Sequence, residues 1–274
     1  MFQFKENQRV TRKYFQSGPL QLSYLDYGGE GSNVLLMLHG HMGDAKTFSE
    51  LAPRLKGWRV LSLDQRGHGW SDHPSDRDYT RESYLQDIYR FIQSELHGQQ
   101  VTILGHSLGG ANAYQFAAKY PELVQALVIE DIGVIINSDM SFTETLPNHA
   151  GSLKQLRDLL TKSGVKSMDY FMESIFEDET GWGFRTDLRG ITTSVQHING
   201  DWWKDWMTSI CPSLLIHGGK SFVLDKDQAE LMAERRANTK LAHFEGCGHG
   251  VHLDDPEGYY VTVAAFLEEV LAQR

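Results

Sequence analysis

The sequence predicts an α/β fold with a mostly parallel, doubly wound sheet. Short apolar runs recur along the chain with helix-length stretches between them, and such runs are typical of parallel strands buried on both faces. These runs are residues 34–38, 60–63, 101–104, 126–129, 213–216 and 241–244. Strands that alternate with helices form a sheet covered by helices on both faces. The length of 274 residues suits a single large domain of this kind.

The two ends of the chain complete the predicted sheet and its cover. Residues 14–16 and 20–25 are strand-like and flank Ser17, Gly18 and Pro19, which predicts an antiparallel hairpin at a sheet edge. The amphipathic pattern of residues 259–271 predicts a closing helix.

A long insert interrupts the alternation of strands and helices. Residues 132–212 show helical periodicity without a clear strand, and a connection of this length is usually functional. We therefore predict a core domain of residues 1–131 and 213–274, with residues 132–212 inserted as a helical cap after the sixth strand. Four of the six tryptophans lie in the insert, and we expect most of them to pack its own core and some to face a pocket.

Composition and charge exclude several classes of partner. The net charge of −10 repels phosphate backbones and disfavours nucleic acid, and it disfavours strongly anionic substrates unless a local basic site overrides it. Residues 1–7 lack the apolar region of a signal sequence, and no apolar run approaches the roughly 18 residues of a membrane span. We expect a cytoplasmic protein with no membrane partner, in which Cys211 and Cys247 stay reduced.

Ser107 is the predicted nucleophile. It lies at the centre of residues 105–109, Gly-His-Ser-Leu-Gly, directly after an apolar run and directly before a helical stretch. This is the strand, sharp turn and helix context of a nucleophile elbow, in which small flanking residues relieve crowding. A phosphate-binding loop is excluded, because no Gly-Lys-Ser/Thr follows.

His249 is the predicted general base. A serine hydroxyl needs a base, and with an elbow of this type the histidine comes last in chain order, after the final strand. His217, His243 and His252 compete for the role, but His249 alone is flanked by glycines in a loop after a strand.

The carboxylate that orients this histidine has two candidates. Asp131 directly follows the apolar run 126–129, whereas Ser221 occupies the place where an acid would be expected after the run 213–216, and Asp225 comes four residues later. A position at a strand end brings the carboxylate more safely within reach of the histidine. We favour Asp131, and the alternative role of Asp225 is a helix cap.

Two backbone N–H groups are predicted to hold the oxyanion, those of Leu108 and of His41 in the turn after an earlier strand. A metal alternative is weak. His39, His41 and Asp44 resemble part of a hydrolytic metal motif, but their spacing departs from it. We predict neither a metal nor a cofactor.

Together these residues resemble the α/β-hydrolase superfamily and its esterase-like members over nearly the whole chain. The motifs are His39-Gly40, residues 64–71 (Asp-Gln-Arg-Gly-His-Gly-Trp-Ser), residues 105–110 and Gly248-His249. The resemblance implies that residues 64–71 are structural, so that Asp64 is not the acid. Residues 127–133 resemble a subgroup whose triad acid follows the sixth strand, which agrees with Asp131.

The predicted activity is that of a serine carboxylesterase acting on a small-molecule ester, as a monomer or small homo-oligomer. An aspartate at the nucleophile position would have indicated an epoxide hydrolase or a dehalogenase. Lactonase, thioesterase, amidase, carbon–carbon bond hydrolase and cofactor-free perhydrolase activities stay open. The alternative of another class is a ligand receptor on the same fold with little turnover. Fold resemblance alone does not establish an ester substrate.

Overall fold

The computed structural model describes residues 10–29, 32–165 and 168–272. Residues 1–7, where no signal sequence is predicted, lie outside them. The strands of the main sheet are β1 Thr11–Ser17, β2 Leu20–Asp26, β3 Asn33–Leu38, β4 Trp58–Leu63, β5 Val101–His106, β6 Val124–Glu130, β12 Ser213–Gly218 and β13 Thr239–Phe244. The shorter strands are β7 Ile135–Ile136, β8 His149–Ala150, β9 Ile175–Asp178, β10 Gly181–Phe184 and β11 Gly200–Asp201.

The described α-helices are α1 Arg81–Leu96, α2 Leu108–Lys119, α3 Leu153–Lys162, α4 Met168–Met172, α5 Leu188–Ile198, α6 Trp203–Thr208, α7 Lys226–Arg235, α8 Val251–Asp254 and α9 Pro256–Ala272. Short 3₁₀ helices occupy Ala52–Arg54, Pro121–Leu123 and Ser141–Thr145.

The main sheet has the strand order β1-β2-β4-β3-β5-β6-β12-β13. From β4 to β13 all neighbouring strands run parallel, and β1 and β2 form an antiparallel hairpin at one edge. Apolar side chains fill a core on each face of this sheet. The predicted α/β class, mostly parallel sheet and edge hairpin are therefore confirmed. Because β5 is central, its carboxyl end lies where ligands bind in open parallel sheets.

The predicted cap region, residues 132–212, has a different internal structure from the one that the sequence predicts. It contains a three-stranded antiparallel sheet, in the order β8-β10-β9, and the pair β7 and β11, none of which the helical periodicity indicated. These strands are two to four residues long, so they leave too little periodicity to detect. The division of the chain into a core and a cap stays our proposal.

The tryptophans of this region do not all pack within it. Trp182 lies beside the cluster of buried side chains that the cap segments share. Trp206 is fully buried in the core cluster instead, edge-on to Tyr114 of α2, and its indole N–H donates to the Met232 carbonyl at 3.0 Å. Trp202 and Trp203 pack against that same core cluster, so the expectation that most of these tryptophans pack the insert's own core is wrong for three of the four, because α6 docks on α2.

Within the described residues, no helix combines the length and the apolar composition that crossing a membrane requires.

Candidate active site

Ser107 lies in the sharp turn between β5 and α2. Its backbone has φ 51° and ψ −116°, a left-handed conformation that residues other than glycine rarely adopt. Two hydrogen bonds hold this conformation, from the Ser107 N–H to the Glu130 carbonyl at 2.9 Å and from the Ala111 N–H to the Ser107 carbonyl at 3.0 Å. Ser107 keeps accessible surface, whereas its neighbours His106 and Leu108 are buried.

The glycines beside the turn are required by close approach of the backbone. A Cβ atom at Gly105 would lie 2.2 Å from the Gly109 carbonyl oxygen, and one at Gly109 would lie 2.1 Å from the Leu38 carbonyl oxygen. Neither position has room for any side chain, which is the physical reason for the glycine spacing around the nucleophile turn.

The structure brings His249 and Asp131 into direct contact. The His249 Nδ1–H donates to Asp131 Oδ2 at 2.7 Å, and Asp131 is fully buried whereas the His249 side chain keeps 11% of its surface exposed. The imidazole is thereby held with its Nε2 edge free. Among the hydrogen bonds of the described residues, none joins Ser107 Oγ to His249, and such bonds often tighten only when substrate binds.

Asp131 is held by further donors from the neighbouring strand end. The Gly218 N–H donates to Oδ1 at 3.0 Å, and the Ser221 hydroxyl donates to Oδ2. Asp131 itself has a left-handed backbone with φ 51°, directly after β6. Asp225 is exposed and caps α7 by accepting from the Gln228 N–H at 2.8 Å, as its alternative role predicts.

The two predicted oxyanion donors lie in the turns after β3 and β5. Leu108 is the first residue of α2, where an N–H has no partner within the helix. His41 follows β3, and a Cβ at Gly40 beside it would lie 2.5 Å from the Tyr170 hydroxyl and 3.1 Å from the Ser107 Cβ, so a side chain there would force its neighbours to shift. The turn that contains Gly40 and His41 therefore packs against Ser107.

Cap residues hold the turn of His41 in place. The Tyr170 hydroxyl of α4 donates to the His41 carbonyl, and the His41 Nε2 lies 2.9 Å from Ser194 Oγ of α5. Burial lowers the pKa of His41 to about 3, so the ring is neutral at physiological pH. The sequence analysis did not find these contacts, because nothing near His41 in the chain indicates partners from the insert.

A buried charged cluster lies beside the loop that carries His249. The two ring nitrogens of His252 donate to Glu130 Oε1 at 2.8 Å and to Glu173 Oε1 at 3.4 Å. Burial alone would lower the pKa of His252, but the two carboxylates outweigh burial and raise it to about 10. The neighbouring His106 donates from Nε2 to the His249 carbonyl at 2.9 Å. The carboxylate of Glu130 directly after the apolar run 126–129 was a detectable signal for this cluster.

Replacing His252 with alanine is expected to lower the free energy of unfolding by about 3–5 kcal/mol, because two buried carboxylates lose their counter-charge. The stabilisation is complete below the ordinary histidine pKa of 6.5 and declines as the pH rises through about 10. Denaturant unfolding at several pH values measures it, with exposed His197→Ala as the control. Equal stability of His252→Ala and wild type would contradict the ion-pair assignment.

His106, Glu130 and His252 also form the cluster that best fits a metal within the described residues, with ligand atoms within 4.8 Å of one another. Hydrogen bonds to carboxylates already engage both nitrogens of His252, and Nε2 of His106 is bound to the His249 carbonyl. The chemistry of the donor set is that of an ion pair, and we assign it no metal.

Asp64 has a structural role in the loop after β4. Its carboxylate accepts from the Ala45 N–H at 2.6 Å and from the Trp70 N–H at 3.1 Å, and it pairs with Arg12 and Ser23. It thus ties two loops and the edge hairpin together, in agreement with the structural role that the resemblance implies.

Comparisons with known proteins identify the family. The sequence profile of the family described as alpha/beta hydrolase fold matches residues 33–165. The sn-1-specific diacylglycerol lipase ABHD11 of Danio rerio is 25% identical over 92% of this chain and 84% of that protein. The serine hydrolase BPHL of Mus musculus is 26% identical over 88% of this chain and 81% of that protein.

A solved structure agrees with these sequence matches. An alpha/beta hydrolase from Novosphingobium aromaticivorans is 26% identical, with a TM-score of 0.79 over 94% of this chain and 98% of that chain. The relatives are similar to this chain over most of their length and are named as hydrolases or lipases. The chain belongs to the α/β-hydrolase superfamily, and it is similar to members of that superfamily that are named as esterases, lipases and serine hydrolases.

Proposed function

We propose that the protein is a serine carboxylesterase with Ser107 as nucleophile, His249 as general base and Asp131 as the orienting acid. The observation that carries the proposal is the hydrogen bond of 2.7 Å between His249 and the buried Asp131, together with a serine in a strained turn. The names of the relatives, a diacylglycerol lipase and a serine hydrolase, support acyl chemistry.

The first half of the reaction acylates the serine. Ser107 Oγ attacks the ester carbonyl carbon while its proton passes to His249 Nε2, and the carbonyl oxygen becomes an oxyanion. The N–H groups of Leu108 and His41 donate to that oxygen. The intermediate then collapses, the bond to the alcohol oxygen breaks, and the alcohol leaves with the proton from His249.

The second half releases the acid. A water molecule gives its proton to His249 and attacks the acyl carbon, and collapse returns the proton to Ser107 as the carboxylic acid departs. Asp131 keeps the Nδ1–H of His249 bound throughout and stabilises the imidazolium. Because Asp131 accepts three hydrogen bonds, from His249, Gly218 and Ser221, it stays fixed as the charge on the ring changes.

The test is hydrolysis of p-nitrophenyl esters from acetate through hexanoate to palmitate, by wild-type protein and by Ser107→Ala. We expect saturable turnover that depends on Ser107 and labelling of wild type by a fluorophosphonate. Lactone and thioester panels distinguish the other acyl activities. Absence of Ser107-dependent turnover on every ester would exclude the esterase, and a ligand-induced rise in melting temperature without turnover would favour a receptor.

Several further predictions belong with this proposal and have not been tested. They are a cytoplasmic location, a small-molecule ester substrate, a monomeric or small homo-oligomeric state, and the cap formed by residues 132–212. The long-range field of a chain with net charge −10 supports the prediction that nucleic acid is not a partner.

A further inference from the structure

Arg81 carries a buried guanidinium group that forms no direct ion pair among the described residues, although the Asp205 carboxylate lies near enough to favour its charge. At the start of α1, its Nε donates to Gln115 Oε1 at 2.8 Å and one terminal nitrogen donates to Asn112 Oδ1. The other terminal nitrogen is buried without a hydrogen-bond partner, and no ion pair found in residues 10–29, 32–165 and 168–272 includes Arg81. Burial lowers the pKa of Arg81 to about 10, so it stays protonated at neutral pH.

A second unpaired donor lies beside it. The amide nitrogen of Gln115 is also buried without a partner, and the oxygen of the same amide accepts from Arg81. Both unsatisfied groups donate hydrogen bonds, so the group that would complete the cluster is an acceptor. Leaving two buried donors unpaired destabilises a folded protein, and an arginine fork matches the geometry of a carboxylate.

The cluster adjoins both predicted oxyanion donors. Asn112 lies one turn along α2 from Leu108 on the same helix face, about 6 Å along the axis. On the other side, Arg81 lies 5.4 Å from the ring centroid of Tyr84. The Tyr84 hydroxyl is 3.0 Å from Ser194 Oγ, which in turn is 2.9 Å from His41 Nε2.

Arg81 and His249 belong to connections that start from different strands of the sheet. Arg81 precedes β5 on the connection from β4, whereas His249 follows β13, at the far edge of the sheet from β4. The leaving alcohol must face His249, because that residue returns the proton to it. We expect the acyl chain of a bound ester to extend away from His249, in the direction of the cluster of Arg81 and Gln115.

We propose that Arg81 and Gln115 bind a carboxylate at the far end of the acyl chain, so that the preferred substrates are half esters of dicarboxylic acids. This inference rests on the proposed function, since it names the substrate class of the same site. The negative field of the whole protein disfavours anions, and a buried guanidinium beside the site overrides it locally.

The experiment compares mono-p-nitrophenyl glutarate, adipate and suberate with the uncharged pentanoate, hexanoate and octanoate esters. The measured quantity is the ratio of kcat/KM for each charged ester to that of its uncharged partner. We expect Arg81→Gln to lower this ratio by at least about tenfold, as loss of hydrogen bonds to a charged group does. Exposed Arg157→Gln on α3 is the matched control and should keep the wild-type ratio.

A second measurement does not depend on turnover. Adipate alone should raise the melting temperature of wild type and of Arg157→Gln, but not that of Arg81→Gln. If adipate does so while no ester is hydrolysed, the esterase proposal fails and the carboxylate subsite stands. If esters are hydrolysed but the ratio is the same in Arg81→Gln, the subsite is overturned and the esterase stands.

Wild-type protein and Gln115→Leu decide the inference if Arg81→Gln does not fold. A preference of wild type for the uncharged ester at every chain length would overturn the subsite. A preference for one half ester that Gln115→Leu reduces would support it, because that substitution removes the second donor and leaves the charge of Arg81 in place.

Discussion

Replacing Ser107 with alanine is expected to lower kcat roughly 10⁶-fold for every ester that the protein hydrolyses, the loss that follows removal of a triad serine. The alanine keeps the Cβ atom in the strained turn but removes the oxygen that attacks the carbonyl. The oxyanion donors at Leu108 and His41 remain, so a residual rate above that of water persists. Single-turnover kinetics with a p-nitrophenyl ester measure the effect.

Two variants separate chemistry from stability at this position. Ser107→Gly should be equally inactive but more stable than Ser107→Ala, because glycine adopts a φ of 51° without strain. Ser94→Ala, on the exposed face of α1, should keep wild-type turnover. Full activity of Ser107→Ala would show that another side chain is the nucleophile.

Asp131→Asn is expected to lower kcat about 10⁴-fold with little change in KM, because an amide in this position favours the wrong tautomer of His249. The Asp131 carboxylate accepts the Nδ1–H of that ring at 2.7 Å, whereas an asparagine amide that stayed bound through its nitrogen would turn the proton onto Nε2. Nε2 would then be unable to accept the proton of Ser107.

Asp225→Asn is the matched control, with the same chemical change on the other candidate acid. Asparagine caps a helix as well as aspartate does, so α7 should keep its stability and the protein its activity. A large loss of kcat in Asp225→Asn with full activity in Asp131→Asn would reverse the assignment of the acid.

The sequence was most informative where a feature is local. The prediction of a sharp turn at residues 105–109 depended only on a strand, a turn and a helix in succession. The structure has β5, the strained Ser107 and α2 in that order. Asp131 was favoured because it ends an apolar run, and the structure places it directly after β6 within hydrogen-bond distance of His249. The catalytic roles of these residues stay predictions until the variants are measured.

Features that depend on distant segments were not predicted. Glu173 reaches His252 across the chain from the predicted cap, and Trp206 docks on α2 rather than inside the cap. Both contacts join segments that are far apart in the sequence, and neither contact leaves a periodic pattern in the sequence. The two-residue strands β7 and β8 were missed for a related reason, since their pairing is decided by neighbours far away in the chain.

The contacts of Tyr170 and Ser194 with His41 give the predicted cap a part in assembling the catalyst. Any movement of α4 and α5 away from the core would break the hydrogen bonds that hold the turn of His41, the predicted oxyanion donor. A molecule in which α4 and α5 had moved away would therefore be a poor catalyst. Its full rate would return only when α4 and α5 packed again on the core with a ligand bound. Such coupling makes hydrolysis depend on how well an ester lets the protein close, so selectivity is exerted on rate as well as on affinity.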